Sequence, residues 1–290
     1  MMKVTVLGAG LMGSALIKSL LANEHDVTVW NRTKEKALPL TEFGAQVVDT
    51  VEQALSGVDI VIGNLRDNKT TEAVLNTSHT AELLRGKTIV ELASGAPKEA
   101  REAKQWVDKL GASYLDGAIL ATPDLIGTEE AAIVISGDLG LFEKVQPTLS
   151  AFGSAIHVGS EIGSANAIDV SSLSMMWGAL FGAAHAVAVC EAEGVDLNVL
   201  GEFWKSSGPV VQFMVDDFIS RNVDGRIEGD QKTLATVATH YGAMHHLESV
   251  MQDKGLDNSV LNGYKSIFAK ADAAGKLTSD FAIISQFMKN

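Results

Sequence analysis

Residues 8–13 read Gly-Ala-Gly-Leu-Met-Gly, a GxGxxG that follows an apolar run and opens a helical pattern. In such a turn Gly8 makes the tight bend, Gly10 lets backbone approach a pyrophosphate, and Gly13 lets the helix pack close on the strand. The helix start at Leu11 and Met12 offers backbone N–H groups and a positive dipole end to an anion. About twenty residues further on, an NAD site carries Asp or Glu for the ribose 2′-hydroxyl. Here that place holds Asn31-Arg32-Thr33, with Lys34 and Lys36 behind. No carboxylate repels a phosphate there. Arg32 can stack on adenine and grip a 2′-phosphate, Asn31 and Thr33 can bond its oxygens, and Lys36 adds charge. The pattern selects NADPH. Later loops around Leu65-Arg66-Asp67 and Ser94-Gly95 are expected to face the same ligand, because ligands sit beyond the carboxyl ends of the strands.

Other chemistry is thinner. Asp169 stands just before a stretch, 170–190, that has no charged residue. By residue type alone, an acid near a helix start is a solvated or dipole-side group. Asp116, at the end of an expected strand, reads as a turn or cap residue. Trp177 is two helical turns beyond Asp169 and reads equally as core or pocket wall. Tyr241 could supply a proton, though a half-buried structural tyrosine fits as well. His240, His245 and His246 give no i, i+4 pair and no HExxH, so no metal site is expected. Cys190 is the only cysteine, which excludes a disulfide within the chain and a Cys-based zinc site and fits a reducing, cytoplasmic location.

The elements that must hold these residues follow from periodicity. Val- and Ile-rich runs at 4–7, 27–30, 60–63, 88–92, 114–116, 131–136 and 156–158 alternate with helical patterns at 11–22, 33–43, 69–75, 97–109 and 139–152. Strands alternating with helices predict an α/β doubly wound parallel sheet covered on both faces. Residues 163–193 then read as one helix of roughly 45 Å, apolar on nearly every side and expected to be buried. Its length could cross a bilayer, but Asp169, Glu191 and Glu193 flank it where topology signals prefer Lys or Arg. The remainder reads as helices separated at Gly208-Pro209, Asp224-Gly225, Gly255, Gly263 and Gly275. A helical segment this thin, hung on one apolar helix, is expected to complete its core with a second copy of the chain. The expected domains are 1–160, a long interdomain helix over 161–193, and a helical dimerisation and substrate domain over 194–290. Across 290 residues, 36 acidic against 23 basic side chains leave a net charge of −13, which argues against nucleic acid and anionic membranes as partners. The opening MMKVTVLGAG lacks the basic-then-apolar pattern of a signal peptide, so none is expected.

With these residues in place, the chain resembles the β-hydroxyacid dehydrogenase superfamily, and within it is similar to NADP-dependent imine reductases. The resemblance rests on GLMG after the first strand, on Asn31-Arg32-Thr33, on Leu115-Asp116-Gly117-Ala118-Ile119-Leu120-Ala121-Thr122-Pro123, and on Asp169 followed eight residues later by Trp177. It implies an N-terminal Rossmann domain joined by a long helix to an all-helical C-terminal domain. It also implies a homodimer whose active site is shared between chains. The acid dehydrogenases carry a catalytic lysine in G-x-x-x-x-x-K and a Ser-Gly-Gly carboxylate cradle. Counting from Gly163, the lysine position here is Asp169, and the cradle position is Ala121-Thr122-Pro123. Imine reductases place Asp or Tyr at that lysine position.

The resemblance therefore assigns Asp169 as catalytic, Ser94, Trp177 and Tyr241 to the substrate pocket, and a small-molecule imine as substrate. Electrostatics agrees with the exchange. A carboxylate substrate wants a cation beside it, and an iminium wants an anion. Unit charges 4 Å apart interact by about 4 kcal/mol at an effective dielectric of 20. Two alternatives remain at this level: a hydroxyacid dehydrogenase relative with an altered acid site, and an NADP-binding protein without turnover.

Overall fold

The computed structural model describes residues 2–289. The expected outer domain limits, Met1 and Asn290, lie outside the described residues. Short β-branched runs form strands because both their faces can be buried. Val4, Val6 and Leu7 of β1 (Lys3–Leu7) are fully buried, as is Ile62 of the strand Ile60–Gly63, while Ile60 is 2% exposed. The chain continues from β1 into α1 (Leu11–Ala22), β2 (Asp26–Trp30), β3 (Gln46–Val47), α2 (Val51–Leu55), β4 (Ile60–Gly63), α3 (Asn68–Leu75), α4 (Ala81–Leu84), β5 (Thr88–Glu91), α5 (Pro97–Lys109), β6 (Ser113–Leu120), β7 (Ala132–Ser136), α6 (Leu139–Leu149) and β8 (Ser154–Gly159). Then follow α7 (Ser164–Glu193), α8 (Leu197–Asp224), α9 (Val237–Lys254), α10 (Ser259–Ala273) and a closing 3₁₀ segment, Phe281–Met288.

The eight strands form one sheet in the order β3-β2-β1-β4-β5-β6-β7-β8. The order reverses between β1 and β4, so a crevice opens beyond their carboxyl ends, where the glycine turn lies. Successive β1 residues serve opposite faces. Val4 and Val6 pack with Leu16, Ile17 and Phe152, whereas Leu7 packs with Leu55, Ile89 and Trp106. This is the doubly wound architecture expected from the alternating pattern.

Several details depart from that pattern. The sheet is not parallel throughout: β7 runs antiparallel to β6. The connection between them, residues 121–131, carries no crossover helix, and an antiparallel neighbour needs none. Strand β6 continues through Asp116 to Leu120, so Asp116 lies mid-strand and not at a strand end. The expected helix at 33–43 is two 3₁₀ segments, Lys34–Lys36 and Leu38–Phe43, with Pro39 at the start of the second. Strand β3 and helices α2 and α4 are too short to leave a periodic signal.

Two compact units meet within α7, one ending at Met176 and the other beginning at Trp177. In the second unit, α8 runs unbroken through Gly208-Pro209, and α10 through Gly263. A helix proline forfeits one hydrogen bond, and the long flanks of α8 sustain the helix across it. Arg221 of α8 is fully buried in an acidic cage. It pairs with Asp217 at 2.8 Å, Asp230 at 3.2 Å and Asp280 at 3.1 Å, and donates to the carbonyl of Lys232. The cage ties the end of α8 to the loop before α9 and to the start of the last 3₁₀ segment.

Helix α7 corrects the expectation of near-complete burial. Met175 is 56% exposed, Trp177 54% and Phe181 53%. Among the described residues of α7 only Ala165 and Asn166 are buried. Its composition asks for apolar cover that a single chain does not supply. By length and composition alone it could also cross a membrane.

The cage yields a stability prediction. Arg221→Met leaves Asp280, 5% exposed at its side chain, without its cation. Breaking one partner of a buried pair costs about 3–5 kcal/mol. Denaturant unfolding followed by far-UV circular dichroism should show that loss. The double variant Arg221→Met/Asp280→Asn should recover part of it.

Candidate functional site

The glycine turn is built by steric exclusion. Gly8 has φ +114°, and a Cβ there would stand 2.2 Å from the carbonyl oxygen of Asn64. A Cβ on Gly13 would stand 2.2 Å from the carbonyl oxygen of Gly8. Gly13 therefore sets the close approach of α1 to the turn. Gly10 differs, since nothing lies within 4 Å of a Cβ built there. The Ala9 N–H donates to Asn31 Oδ1 at 3.0 Å, and Asn31 Nδ2 donates to the Thr33 carbonyl at 2.7 Å. Asn31 thus straps the glycine turn to the loop after β2.

A cleft of about 600 Å³ opens at this switch point. Gly8, Gly10, Leu11, Met12, Asn31, Arg32, Thr33, Lys36, Leu65 and Arg66 line it. Leu11 is 86% exposed, so the start of α1 faces open space. The basic groups divide into two kinds. Lys34 pairs with Asp49 and Arg66 with Asp67. Thr70 and then Arg66 hold the Asp67 carboxyl down to about 2. Among the described residues Arg32 and Lys36 form no ion pair, which leaves both charges available to an anion. An open Gly10, a free helix start and two unpaired cations fit a dinucleotide carrying an extra phosphate. Trp30, Asn64, Thr70, Ala73 and Val74 also line the cleft. Sequence reasoning missed them, because small and apolar wall residues carry no signal of their own.

A second group hangs from the same sheet edge. Gly63, Glu91, Asp116 and Ser136 are in register across β4, β5, β6 and β7. In-register neighbours share a sheet face, so three polar side chains meet in a row. Glu91, Asp116 and Ser136 are all fully buried. Gly63 makes room, since a Cβ there would stand 2.7 Å from Glu91 Oε1. Glu91 Oε1 accepts from the Ala93 N–H at 3.1 Å, while Oε2 has no hydrogen-bond partner. Burial pushes Glu91 up to about 7, and the Asp116 carboxyl opposes its charge further. Burial also pushes Asp116 up to about 7, against the pull of its donors Asn166 and Ser136.

Those donors belong partly to α7. Asn166 Nδ2 donates to Asp116 Oδ1 at 2.9 Å, and the Asn166 N–H donates to Oδ2 at 3.4 Å. The Ala165 N–H donates to Ser136 Oγ at 3.1 Å. Asp169 follows one helical turn later, partly buried, with its carboxyl pushed above the usual carboxylate range by desolvation. Ser94 sits in the turn between β5 and α5. A Cβ on its neighbour Gly95 would stand 2.5 Å from Asn68 Nδ2 and 3.7 Å from Asn166 Nδ2. The Ser94 turn and the first turn of α7 are therefore neighbours, although Ser94 does not line the glycine cleft. The Trp177 and Phe181 rings lie tilted at 41° to one another with centres 6.2 Å apart. Tyr241 stacks on Phe268 at 5.0 Å within the helical unit. Neither lines a described cavity.

Comparison with known proteins adds independent findings. Residues 3–160 match the family described as the NAD binding domain of 6-phosphogluconate dehydrogenase. Residues 161–290 match the NADPH-dependent reductive aminase-like C-terminal domain. The chain is similar to an NADPH-dependent reductive aminase of Aspergillus oryzae, with 36% identity over 190 residues, 65% of this chain and 64% of that protein. The match thus spans just under two thirds of that relative. An imine reductase from Myxococcus stipitatus in complex with NADP+ shares 41% identity and a TM-score of 0.91, covering 99% of this chain and 100% of that one. A reductive aminase from Aspergillus terreus in complex with NADPH and ethyl levulinate shares 30% identity and a TM-score of 0.86, covering 99% of both chains.

The buried carboxyl row makes stability depend on pH. A carboxyl whose folded pKa exceeds its unfolded value stabilises the fold at low pH, and that contribution is lost as pH rises through the folded value. For Glu91 the window runs from its ordinary 4.5 to about 7, a contribution of up to about 3 kcal/mol. Wild-type melting temperature should therefore fall between about pH 5 and about pH 8. Glu91→Gln should flatten the fall. An unchanged slope in the variant would remove Glu91 as its source.

Proposed function

The chain belongs to the imine reductase family, and on that premise we propose that it reduces cyclic imines and iminium ions to amines with NADPH. Amine–carbonyl pairs undergoing reductive amination are the proposed extension of the same chemistry. The observation that carries this reading is Asp169, a partly buried carboxyl on a helix that has no charge from Val170 to Cys190. Acid dehydrogenases of the wider superfamily place a lysine there. Reversing that sign favours an iminium over a hydroxyacid or ketoacid by a few kcal/mol.

When bound, NADPH supplies the hydride. Arg32 and Lys36 would hold the 2′-phosphate, with Thr33 beside them. The open start of α1 at Leu11 and Met12, together with Gly10, would take the pyrophosphate. Gly8 and Gly13 shape that turn, Asn31 ties it to β2, and Leu65 forms the opposite wall. Asp169 would stabilise the iminium or protonate its nitrogen. Desolvation raises its pKa, the direction that proton donation requires. Ser94, Trp177 and Tyr241 are the proposed pocket residues.

A second copy of the chain is the proposed cover for α7, with the active site shared between chains. Flanking acids Asp169, Glu191 and Glu193 disfavour lipid as that cover, and a soluble dimer fits the expected cytoplasmic location.

Two measurements test this reading. NADPH oxidation with 2-methyl-1-pyrroline should exceed NADH oxidation and fall at least about tenfold in Asp169→Ala, roughly 1.4 kcal/mol of transition-state stabilisation. No turnover with several imines despite tight NADPH binding would sink the proposal. Light scattering should give twice the chain mass of 30.7 kDa, and a monomer at micromolar concentration would remove the shared site.

A further inference from the structure

Helix α7 has little to hold it in the first unit. Of its thirty residues, those buried among the described ones are Ala165 and Asn166, both in the first turn. Exposed N–H groups at a helix start need acceptors, and here the acceptors come from the sheet. Ser136 of β7 takes the Ala165 N–H at 3.1 Å. Asp116 of β6 takes both the N–H and the side-chain amide of Asn166, at 3.4 Å and 2.9 Å. Asn166 and Asp169 are i and i+3, so they lie next to one another on one helix face.

The geometry points to Asp116 as a positioning residue for Asp169. Its carboxyl anchors the first turn of α7 through Asn166, whose i+3 neighbour on the helix is Asp169. The inference rests on the proposed catalytic role of Asp169. The groups around Asp116 are Glu91 on β5, Tyr114 on β6, Ser136 on β7 and Asn166 with Asp169 on α7. Tyr114 donates to Asn68 of α3 at 3.3 Å. From α5, Glu99 accepts from the Ala96 N–H at 2.9 Å, and Arg101 approaches Gly163. Burial raises both carboxyls, and charge on Asp169 raises Asp116 further. Asp116 acts on Asp169 through the helix turn that Asn166 holds.

The test uses the full enzyme with NADPH and 2-methyl-1-pyrroline. It compares wild type, Asp116→Asn, Asp169→Asn and the double variant. The limb of the kcat/KM–pH profile that disappears in Asp169→Asn belongs to Asp169. In Asp116→Asn that limb should keep its position, because the substitution disturbs where Asp169 stands and leaves its desolvation in place. Its kcat should fall about tenfold with less than about a twofold change in KM, and the kcat effect should vanish in the Asp169→Asn background. NADPH affinity, read by fluorescence titration, should be unchanged. The same kcat loss with and without Asp169 overturns the inference. Wild-type turnover in Asp169→Asn would instead overturn the proposed catalytic role. If Asp116→Asn does not fold, Asn166→Ala carries the same readouts. It removes the 2.9 Å bond and keeps the carboxyl. A kcat loss that vanishes in the Asp169→Asn background supports the anchor, and wild-type values overturn it.

Discussion

Parallel pairing decides where chemistry can occur in this chain. β1, β2, β4, β5 and β6 run the same way, so their carboxyl ends form one edge. The turns leaving that edge are short, and each must satisfy backbone groups no longer held by the sheet. The glycine turn does so through the Gly8 N–H, which donates to the Trp30 carbonyl, and the Ala9 N–H, which donates to Asn31 Oδ1. The turn after β5 does so through Glu91, which takes the Ala93 N–H. The first turn of α7 does so through Ser136 and Asp116. The same need thus builds the dinucleotide cleft and seats the helix that carries Asp169.

The buried row of Glu91, Asp116 and Ser136 is costly in isolation. Two carboxyls at adjacent in-register positions cannot both ionise cheaply without a cation. Asp116 has the better claim to the charge, because Asn166 gives it two donors and the start of α7 adds its dipole. Glu91 has one backbone donor and an orphaned oxygen, so it is the better proton holder. The row therefore concentrates a shared negative charge at the helix start and not deeper in the sheet. A lysine at position 169 would neutralise that charge. An aspartate adds to it, and the local field becomes one that a protonated imine lowers in energy and a carboxylate raises.

The sequence made different parts of this arrangement legible to different degrees. The glycine turn was readable because it combines a strand, three spaced glycines and a helix start, each with a separate steric reason. Arg32 was readable because it stands where a carboxylate would otherwise be. That Arg32 and Lys36 are unpaired while Lys34 and Arg66 are not was invisible, since Asp49 and Asp67 become partners only through the fold. Asp116 was read as a strand-end turn or cap residue. It caps a helix fifty residues away, a contact that no local pattern encodes. Helix α7 was read correctly as apolar and wrongly as buried, because hydropathy reports what a surface requires and not whether the fold of the chain covers it. Pro209 suggested a break that a 28-residue helix absorbs. The antiparallel β7 was missed because a strand's direction is set by its connection and not by its composition.

Charge on the whole molecule sharpens the division between cofactor and substrate. A net charge of −13 repels a polyphosphate at long range, yet exposed charges beyond about 8 Å are largely screened at physiological salt. At the mouth of the glycine cleft the two unpaired cations therefore outweigh the distant acids. Lys34 and Arg66, each held to a neighbouring carboxylate, contribute little net field. For a cationic imine the situation is reversed, because the surface attracts it and the cluster around Asp116 and Asp169 continues that attraction inward. A carboxylate substrate meets an unfavourable field at both stages. One acidic chain can thus admit an anion at one turn of its sheet edge and prefer a cation at another, because the paired and unpaired side chains are sorted turn by turn along that edge.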